Sequence, residues 1–267
     1  MLDPEKYQRL QDCLRAHAPL VIAYSGGVDS ACLLAVAHAT LGDDVLGVIA
    51  DSPSLPRKAL ADALALAKQI GVAVEVVQTA EMADGNYASN PINRCYYCKA
   101  ELFTKLDQLA RERGYAAIAY GENADDAQHF RPGSKAAAEF SVIAPLKHAG
   151  LTKEEVREIS RSLRLPTAGA PSQPCLSSRI PHGTPVTAEA LAMIERGEEF
   201  VRSLGFKVFR VRHLVDAEGP GKFRARVQVA PEEMGGLATC EELLASGLAA
   251  AGYSAVEIDP AGYRQPA

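Results

Sequence analysis

The segment Ser25-Gly-Gly-Val-Asp-Ser30 combines residue types that can bind a phosphate group. Its two glycines allow a sharp turn that brings backbone amides toward an anion, and its two serine hydroxyls add donors. Asp29 would repel a phosphate, so its presence makes sense if Mg²⁺ lies between the carboxylate and the phosphates or if the carboxylate orients the loop. The apolar run Leu20–Tyr24 precedes this loop and a helix pattern follows it, so a helix N-terminus adds partial positive charge.

No Gly-Lys-Ser/Thr follows this loop, so it is not a Walker loop that transfers a terminal phosphate, and it does not match Gly-x-Gly-x-x-Gly either. It resembles the PP-loop signature of ATP pyrophosphatases. That resemblance implies that ATP is cleaved between its α and β phosphates with the help of Mg²⁺, and that Asp29 and Ser30 are catalytic. The ATP-binding residues that it implies are Ala23, Ser25, Gly26, Gly27, Asp29, Ser30, Asp51, Gly121, Asn123 and Asp125.

Polar residues also follow two further predicted strands. Asp51-Ser-Pro-Ser54 comes after the second strand, and Gly121-Glu-Asn-Ala-Asp-Asp126 comes after the fourth. Because open α/β sheets bind ligands at the carboxyl ends of their strands, we expect both segments to line the crevice of the phosphate loop. In PP-loop enzymes these positions hold adenosine and help to coordinate the metal. Each motif alone is also typical of ordinary turns.

The first two thirds of the chain alternate strand and helix patterns. The predicted strands are Leu20–Tyr24, Asp44–Ala50, Val72–Gln78, Tyr115–Tyr120 and Ser141–Leu146. The predicted helices are Ser30–Leu41, Pro56–Ile70 closed by Gly71, Lys99–Arg113 closed by Gly114, and one that a capping box at Thr152–Glu155 opens and that runs to about Leu163. Repeated β-α units predict an α/β fold with a doubly wound parallel sheet.

Prolines, glycines and serines interrupt this pattern at Leu165–Pro185. The elements predicted beyond it are a helix at Thr187–Leu204, hairpin strands at Phe206–Leu214 and Lys222–Val229 around Glu218-Gly-Pro-Gly221, a helix near Glu232–Leu248 and a strand near Ala255–Ile258. We therefore expect a PP-loop domain over 1–168, a linker carrying Cys175 over 169–185, and a smaller α+β domain for substrate binding and oligomerisation over 186–267.

The amino-acid composition limits the kinds of partner that we expect for this protein. The 267 residues include 28 Lys+Arg against 33 Asp+Glu, a net charge of −5, whereas nucleic-acid-binding proteins usually carry an excess of positive charge. The apolar runs are too short to span a bilayer, and the N-terminus does not resemble a targeting segment. We therefore expect a cytoplasmic protein with no nucleic-acid or membrane partner. Its six cysteines are then free thiols, metal ligands or catalytic groups.

Cys95-Tyr-Tyr-Cys98 lies in the polar stretch Asn90–Lys99, which we predict to be a loop before a helix. This spacing can place two sulfur atoms on one metal or cluster, and a pair of packing thiols is the alternative. A third candidate ligand, Cys175, lies in the predicted linker. The remaining cysteines lie in helical patterns that indicate buried, inert thiols: Cys13, Cys32 and Cys240.

Seven motifs together resemble the LarE family of ATP-dependent sulfur transferases. They span nearly the whole chain and are SGGVDS, ADSPS, NRCYYCK, GENADD, PLKHAGLTKEEVR, CLSSRIPHG and FRVRH. The resemblance implies that ATP adenylates a pyridinium biscarboxylate mononucleotide and that a sulfur nucleophile then displaces AMP. The thiocarboxylate that results serves the nickel-pincer nucleotide of lactate racemase. The resemblance also implies a hexamer.

The cysteines decide between two branches of that family. In one branch the residue that matches Cys175 gives up its own sulfur and becomes dehydroalanine, and the Cys-x-x-Cys pair is absent. Because this sequence has Cys95 and Cys98, it resembles the other branch, in which three cysteines hold a [4Fe-4S] cluster and leave one iron open for sulfide from a donor. Sacrifice of Cys175 stays an alternative, and so does zinc held by the cysteines with His182 or water.

Arg210 and Arg212 alternate along a predicted strand, so both side chains point to one face. Arginine suits bidentate recognition of phosphate. The resemblance implies that Ser178 and Arg179 join them around the phosphate of the substrate, and that Glu198 helps to hold magnesium. The alternative is that these arginines are solvated side chains on an exposed strand.

Three other functions compete with sulfur transfer. A PP-loop amidating synthetase would need ammonia but no cysteine triad. A tRNA thiolase should carry a basic surface for RNA, which the net charge of −5 does not favour. A non-catalytic nucleotide sensor with a structural zinc site would turn ATP over slowly or not at all.

Overall fold

A computed structural model describes residues 3–128, 132–171, 173–216 and 221–263. The chain divides into two compact units, of which the first is Met1–Asp84 with Asn93–Ala170 and the second is Gly85–Ile92 with Pro171–Ala267. The range 1–168, in which we predicted the PP-loop domain, therefore contains one short segment that groups with the second unit. None of the helices that the structure describes is long and apolar enough to cross a membrane.

The first unit alternates strands and helices. Its strands are β1 (Leu20–Ala23), β2 (Val45–Asp51), β3 (Val74–Gln78) and β4 (Ala117–Tyr120). Its helices are α1 (Pro4–Ala16), α2 (Val28–Leu41), α3 (Arg57–Ile70), α4 (Arg94–Arg113), α5 (Pro132–Glu139) and α6 (Lys153–Ser162). Short helical turns occur at Glu81–Ala83, Asp125–Gln128, Pro145–His148 and Pro166–Gly169. The capping box formed by Thr152 and Glu155 begins α6, as predicted.

The four strands form one parallel sheet in the order β3-β2-β1-β4. In this register Leu20 lies opposite Val45 on one side and Ala117 on the other. Ile22 packs into the core under α1, α2, α3 and α6, whereas Val21 packs into the core under α4 and α5. Both faces of the sheet are therefore buried, which explains the continuous apolar run of β1 and confirms the doubly wound fold. The strand order reverses between β1 and β4, where such sheets bind their ligands.

The fifth strand that we predicted at Ser141–Leu146 is wrong. Within this segment only Ile143 pairs with the sheet, through an isolated parallel bridge to Ala119. The chain then turns into a short helix at Pro145–His148. Proline has no N–H to donate to a sheet ladder, so the apolar run cannot continue as a strand beyond it.

The second unit is a smaller α+β arrangement. Its strands are β5 (Phe209–Val215), β6 (Phe223–Val229) and β7 (Ala255–Ile258), and its helices are α7 (Ala188–Ser203) and α8 (Glu241–Ala250). Short helical segments occur at Gly85–Ala88, Leu176–Arg179, Pro231–Glu233 and Met234–Ala238. The sheet has the order β5-β6-β7, with β6 antiparallel to β5 and parallel to β7. The predicted pairing of the hairpin strands is confirmed, and its turn residues 218–220 lie outside the described residues.

The single helix predicted near Glu232–Leu248 is wrong, because the structure breaks it into a 3-10 turn, a short helix and α8. Cys240 has φ −128° and ψ 21°, outside the helical region, and it separates Met234–Ala238 from α8. Gly235 and Gly236 lower the helix propensity of the shorter piece. A break at this point therefore costs little local stability.

His213 lies in the core of the second unit. Its ring stacks on Phe223 with the ring centroids 4.4 Å apart, and its Nδ1 lies 3.4 Å from the hydroxyl of Tyr253. Among the described residues, its Nε2 has no hydrogen-bond partner. Burial lowers the pKa of His213 to about 4, because the charged ring would lose its hydration.

We predict that His213 makes the stability of the second unit depend on pH. Its pKa is about 4 when folded and about 6.5 when unfolded, so protonation favours the unfolded chain as the pH falls from 6.5 toward 4. Between pH 7 and pH 5 this group alone should remove about 2 kcal/mol from the free energy of unfolding. Urea unfolding, followed by amide exchange in β5 and β6, measures this difference. His213→Phe should abolish this contribution, and an unchanged pH dependence in that variant would contradict the assignment.

Candidate functional site

The phosphate loop begins where β1 ends and continues into the first turn of α2. The hydroxyl oxygens of Ser25 and Ser30 lie 3.0 Å apart, and the amide of Ser25 donates to Ser30 Oγ at 3.2 Å. Gly27 is the N-cap residue of α2 and makes no side-chain capping bond. The helix therefore presents its first amides at an N-terminus without a side-chain cap, which is a favourable place for a phosphate group.

Close contacts require glycine at two positions of this edge. Gly26 has φ +74°, and a Cβ there would lie 2.6 Å from the Cβ of Ala63 in α3. Gly121 follows β4, and a Cβ there would lie 2.7 Å from the amide nitrogen of Ser30. The end of β4 and the first turn of α2 therefore pack backbone against backbone, with no room for a side chain between them.

Asp29 lies in a polar network that joins three elements. Its Oδ2 is 2.5 Å from Nζ of Lys153 at the start of α6, and its Oδ1 accepts a hydrogen bond from Asn123 Nδ2 at 3.4 Å. The buried Asn123 also accepts hydrogen bonds from the amides of Asp125 and Asp126. The amide of Lys153 donates to Asp125 Oδ2 at 2.7 Å. The structure thus brings together three of the residues predicted to bind ATP, Asp29, Asn123 and Asp125.

Sequence reasoning missed Lys153 and Glu122 as residues of this site. Glu122 is 5% exposed and accepts hydrogen bonds from Ser134 Oγ at 2.7 Å, from Lys147 Nζ at 3.4 Å and from the hydroxyl of Tyr120. Burial raises the pKa of Glu122, but these donors together lower it by more than burial raises it. The pKa of Glu122 therefore lies below its usual value. Both missed residues lie inside quoted motifs, yet only the fold reveals their partners.

Asp51, the last residue of β2, is held by neighbouring side chains. Arg57 Nη1 lies 2.5 Å from its Oδ1, and Gln78 Nε2 donates to its Oδ2 at 2.8 Å. Burial raises the pKa of Asp51, while the hydrogen bonds from Gln78 and Arg57 and the positive charge of Arg57 bring it below its usual value. A role for Asp51 in holding adenosine stays a prediction.

Cys95 and Cys98 lie among the first five residues of α4, not in a loop as we predicted. The helix begins at Arg94 rather than at Lys99, and no proline or glycine lies between Pro91 and Gly114 to interrupt it. Residues three apart on a helix share a face, so both thiols lie on one side of α4. Cys95 is exposed and Cys98 is half-buried.

Cys175 belongs to the second unit and precedes the turn Leu176–Arg179. It is half-buried, and its carbonyl oxygen accepts hydrogen bonds from the Ser178 amide at 3.0 Å and from Arg179 Nη1 at 3.1 Å. Across the described ranges of the chain, no three His, Cys, Asp or Glu side chains are grouped so that they could hold a metal ion. The three-cysteine cluster site therefore stays a prediction.

The three other cysteines differ from one another. Cys32 is buried in α2, as predicted, and burial raises the pKa of its thiol to about 12. The prediction of burial is wrong for Cys13 and Cys240, which are both half-buried. Cys13 lies in α1, whose buried residues are Leu10 and Leu14, and Cys240 lies between two helices rather than within one.

Arg179 and Glu198 form a buried ion pair in the second unit. Arg179 Nε lies 2.7 Å from Glu198 Oε1, and Nη2 lies 2.9 Å from Oε2. Their side chains are 3% and 6% exposed. Arg179 Nη1 also donates to the carbonyl of Pro174 at 2.6 Å, and Glu198 Oε1 accepts from the amide of Val211 at 3.2 Å. A phosphate contact of Arg179 and a magnesium contact of Glu198 would compete with this pair, and both stay predictions.

Arg210 and Arg212 lie on β5 in the same region. The guanidinium of Arg210 lies 4.5 Å from the ring centroid of Tyr263, and Arg212 Nη1 donates to the carbonyl of Ser178 at 2.8 Å. Burial, and then the positive charge of Arg179, lower the pKa of each of these two arginines. The guanidinium groups therefore repel one another, and a bound phosphate dianion would relieve that repulsion.

One protein family and three known proteins are similar in sequence to this chain. The NAD synthase family matches residues 8–127, which include the phosphate loop. The uncharacterized protein slr1717 of Synechocystis is 45% identical over 80% of this chain and 77% of its own length. The pyridinium-3,5-bisthiocarboxylic acid mononucleotide synthase of Lactiplantibacillus plantarum is 29% identical over 92% of this chain and 87% of its own. The uncharacterized protein MJ0830 of Methanocaldococcus jannaschii is 29% identical over 72% of this chain and 73% of its own length.

A parallel sheet with this loop at its switch point defines an enzyme of the PP-loop, NAD synthase-like class, and that class suggests ATP and Mg²⁺. Within that class, the chain belongs to the LarE family. The resemblance that its motifs indicated is thereby confirmed. The site residues, the sulfur donor and the hexamer stay predictions.

We predict that breaking the buried ion pair on one side destabilises the second unit strongly. Arg179→Met leaves the carboxylate of Glu198 buried without its cation, which typically costs about 3–5 kcal/mol. Adding Glu198→Gln removes that charge and keeps an acceptor for the Val211 amide, so the double variant should recover at least about 1 kcal/mol. Urea unfolding of the three proteins measures these differences. A double variant no more stable than Arg179→Met would show that the buried charge is not the cause.

Proposed function

We propose that the chain is an ATP-dependent sulfur transferase that converts the carboxylates of a pyridinium biscarboxylate mononucleotide into thiocarboxylates. The observation that carries this proposal is the alignment of 92% of the chain with a protein named for the bisthiocarboxylic acid product. The product would serve the nickel-pincer nucleotide of lactate racemase. The free thiols fit the reducing cytosol.

The chemistry has two steps for each carboxylate. A carboxylate oxygen of the substrate attacks the α-phosphorus of ATP, the bond from that phosphorus to the bridging oxygen breaks, and pyrophosphate leaves. A sulfide equivalent then attacks the acyl carbon, and AMP leaves with the electron pair of the broken C–O bond. A loop without a Walker lysine supports cleavage between the α and β phosphates rather than terminal-phosphate transfer.

The phosphate loop would hold the nucleotide through the first amides of α2 and the hydroxyls of Ser25 and Ser30. Mg²⁺ in nucleotide sites takes one or two carboxylates together with phosphate oxygens. The half-buried carboxylate of Asp29, which lies in the loop itself, fits this requirement. A bound magnesium ion would neutralise phosphate charge, while Asn123 keeps the carboxylate oriented.

The second unit would hold the phosphate of the mononucleotide. Arg212 donates to two neutral groups, the Gln228 side chain and the Ser178 carbonyl, so a phosphate would give its guanidinium an anionic partner. Arg210 adds a second positive charge on the same strand. Charge-assisted bonds from two guanidinium groups would fix the acceptor in one orientation.

The sulfur would come through the cysteines. Cys95, Cys98 and Cys175 would hold a [4Fe-4S] cluster, which would supply sulfide for repeated turnovers. The position of Cys95 and Cys98 on one face of α4 supports a shared ligand. The alternatives are sacrifice of the sulfur of Cys175 and a zinc site with His182, which is exposed.

An amidating synthetase is the second candidate, because the NAD synthase family matches residues 8–127. That match ends before Pro171, where the longer segment of the second unit begins, whereas the alignment with the thiocarboxylate synthase covers 92% of the chain. Supplying ammonia and sulfide in competition separates the two functions. An amide as the main product would support the synthetase.

We predict that ATP, Mg²⁺, the acceptor and sulfide yield AMP and pyrophosphate, and that Arg212→Ala raises the KM for the acceptor at least about tenfold. Loss of one partner of a desolvated charge pair costs about 2–5 kcal/mol, which corresponds to such a change. The KM for ATP should stay unchanged, because the phosphate loop is in the other unit. Steady-state assays of both substrates, with the nucleotides separated by chromatography, measure these values.

Arg226→Ala is the matched control for this assay. Arg226 lies opposite Arg212 in the sheet but is paired with Glu257, so its loss should leave the acceptor KM within about twofold. ADP and phosphate as the nucleotide products would contradict ATP pyrophosphatase chemistry. Equal acceptor KM values for wild type and Arg212→Ala would contradict the phosphate site.

We predict that anaerobically purified protein contains iron and sulfide and turns over repeatedly with an unchanged intact mass. Alanine at any one of Cys95, Cys98 and Cys175 should abolish repeated turnover, because each removes a thiolate ligand. Cys13→Ala provides the control, since Cys13 is a half-buried thiol of α1. Iron analysis and intact-mass spectrometry give the result. Iron-free active protein that becomes about 34 Da lighter in step with product, the mass of H₂S, would instead establish sacrifice of Cys175.

A further inference from the structure

The phosphate loop contains no lysine or arginine, yet a lysine side chain reaches it from elsewhere in the chain. Lys153 Nζ lies 2.5 Å from Asp29 Oδ2, across a sequence separation of 124 residues. Both residues belong to the first unit. A cation is therefore present beside the loop, at the edge where β1 and β4 end.

Backbone contacts hold Lys153 in this place independently of its side chain. It is the first residue of α6, and the capping box of Thr152 and Glu155 fixes that helix terminus. Its amide donates to Asp125 Oδ2 at 2.7 Å, which ties α6 to the segment after β4. The ammonium group can therefore change partners while its Cα stays in place.

The stability that the ion pair of Lys153 and Asp29 contributes does not explain why Lys153 lies beside the loop. The side chains of Lys153 and Asp29 are 38% and 20% exposed, and partly exposed ion pairs contribute little to stability. The pair between Lys6 and Glu155 anchors the same helix at 2.8 Å, so α6 has a second attachment. A role of Lys153 toward a ligand explains the placement better than a role in folding.

We propose that Lys153 binds the pyrophosphate portion of ATP and exchanges Asp29 for the phosphates when the nucleotide binds. The proposal rests on the proposed function, since it assigns a residue to ATP cleavage. Release of Lys153 leaves the Asp29 carboxylate for Mg²⁺. When the bond between the α-phosphorus and the bridging oxygen breaks, the oxygen keeps the electron pair and charge builds on pyrophosphate. Lys153 stabilises that charge and keeps its own proton.

Calorimetric titration of the full chain with ATP, pyrophosphate and AMP, each with Mg²⁺, tests this assignment. Lys153→Met should weaken binding of ATP and of pyrophosphate at least about tenfold, because a charge-assisted contact is lost. Binding of AMP should change less than about twofold, because AMP lacks the β and γ phosphates. Lys153→Arg should restore part of the lost affinity, since it keeps the positive charge.

Lys6→Met is the control, because it removes the other lysine that anchors α6, whose ion-pair partner is Glu155 and not Asp29. It should leave all three affinities unchanged. Equal weakening of AMP and ATP by Lys153→Met would show a structural role and overturn the proposal, as would unchanged affinity for ATP and pyrophosphate. Wild-type protein that binds no ATP would instead overturn the proposed function.

A measurement on the unaltered protein keeps the proposal testable if Lys153→Met does not fold. Limited acetylation with acetic anhydride, read by peptide mass spectrometry, reports how accessible each lysine is. ATP and pyrophosphate should protect Lys153 at least about threefold more than AMP does, since only they carry the group that it contacts. Lys6 should react equally in all conditions, and equal protection of Lys153 by AMP would overturn the proposal.

Discussion

The backbone contact between the end of β4 and the first turn of α2 is the constraint on which the phosphate loop depends. A Cβ on Gly121 would lie 2.7 Å from the amide nitrogen of Ser30, so only glycine allows these elements to meet. This approach brings Asn123 within 3.4 Å of Asp29. It also places Asp125 where it accepts the amide of Lys153. One missing side chain therefore lets the segment after β4 reach both the start of α2 and the start of α6.

Charge is distributed differently in the two units. In the first unit a half-exposed lysine offsets the carboxylate of the phosphate loop, and such a pair can exchange partners at little cost. In the second unit the ion pair of Arg179 and Glu198 is buried and bidentate, so separating it would strand a charge away from water. Beside it, Arg212 donates to neutral oxygens. Buried pairs therefore build the scaffold, while the more accessible or neutrally partnered cations can receive anions.

The sequence predicted those parts of the fold that a local pattern determines. Strand β1 is recognisable because burial on both faces makes it continuously apolar, and α6 is recognisable from its capping box. The prediction of a fifth strand was wrong because it gave the apolar pattern of 141–146 more weight than the proline within that segment. Lys153 could not be assigned from sequence, because its partner is 124 positions away and an isolated lysine at a helix start is ordinary. Local patterns thus predicted the phosphate loop and the segment that brings Asn123 to it, but not the lysine that the fold brings to Asp29.

The buried ion pair of Arg179 and Glu198 also holds the main chain at Cys175. Arg179 uses Nε and Nη2 for Glu198 on α7, and it uses Nη1 for the carbonyl oxygens of Pro174 and Cys175. One guanidinium group therefore ties the backbone of the cysteine to a helix through a buried ion pair. Because these contacts involve only the backbone of Cys175, its thiol is left outside them. Each role proposed for Cys175, as a cluster ligand or as a sulfur donor, would need this combination of a held main chain and a thiol outside those hydrogen bonds.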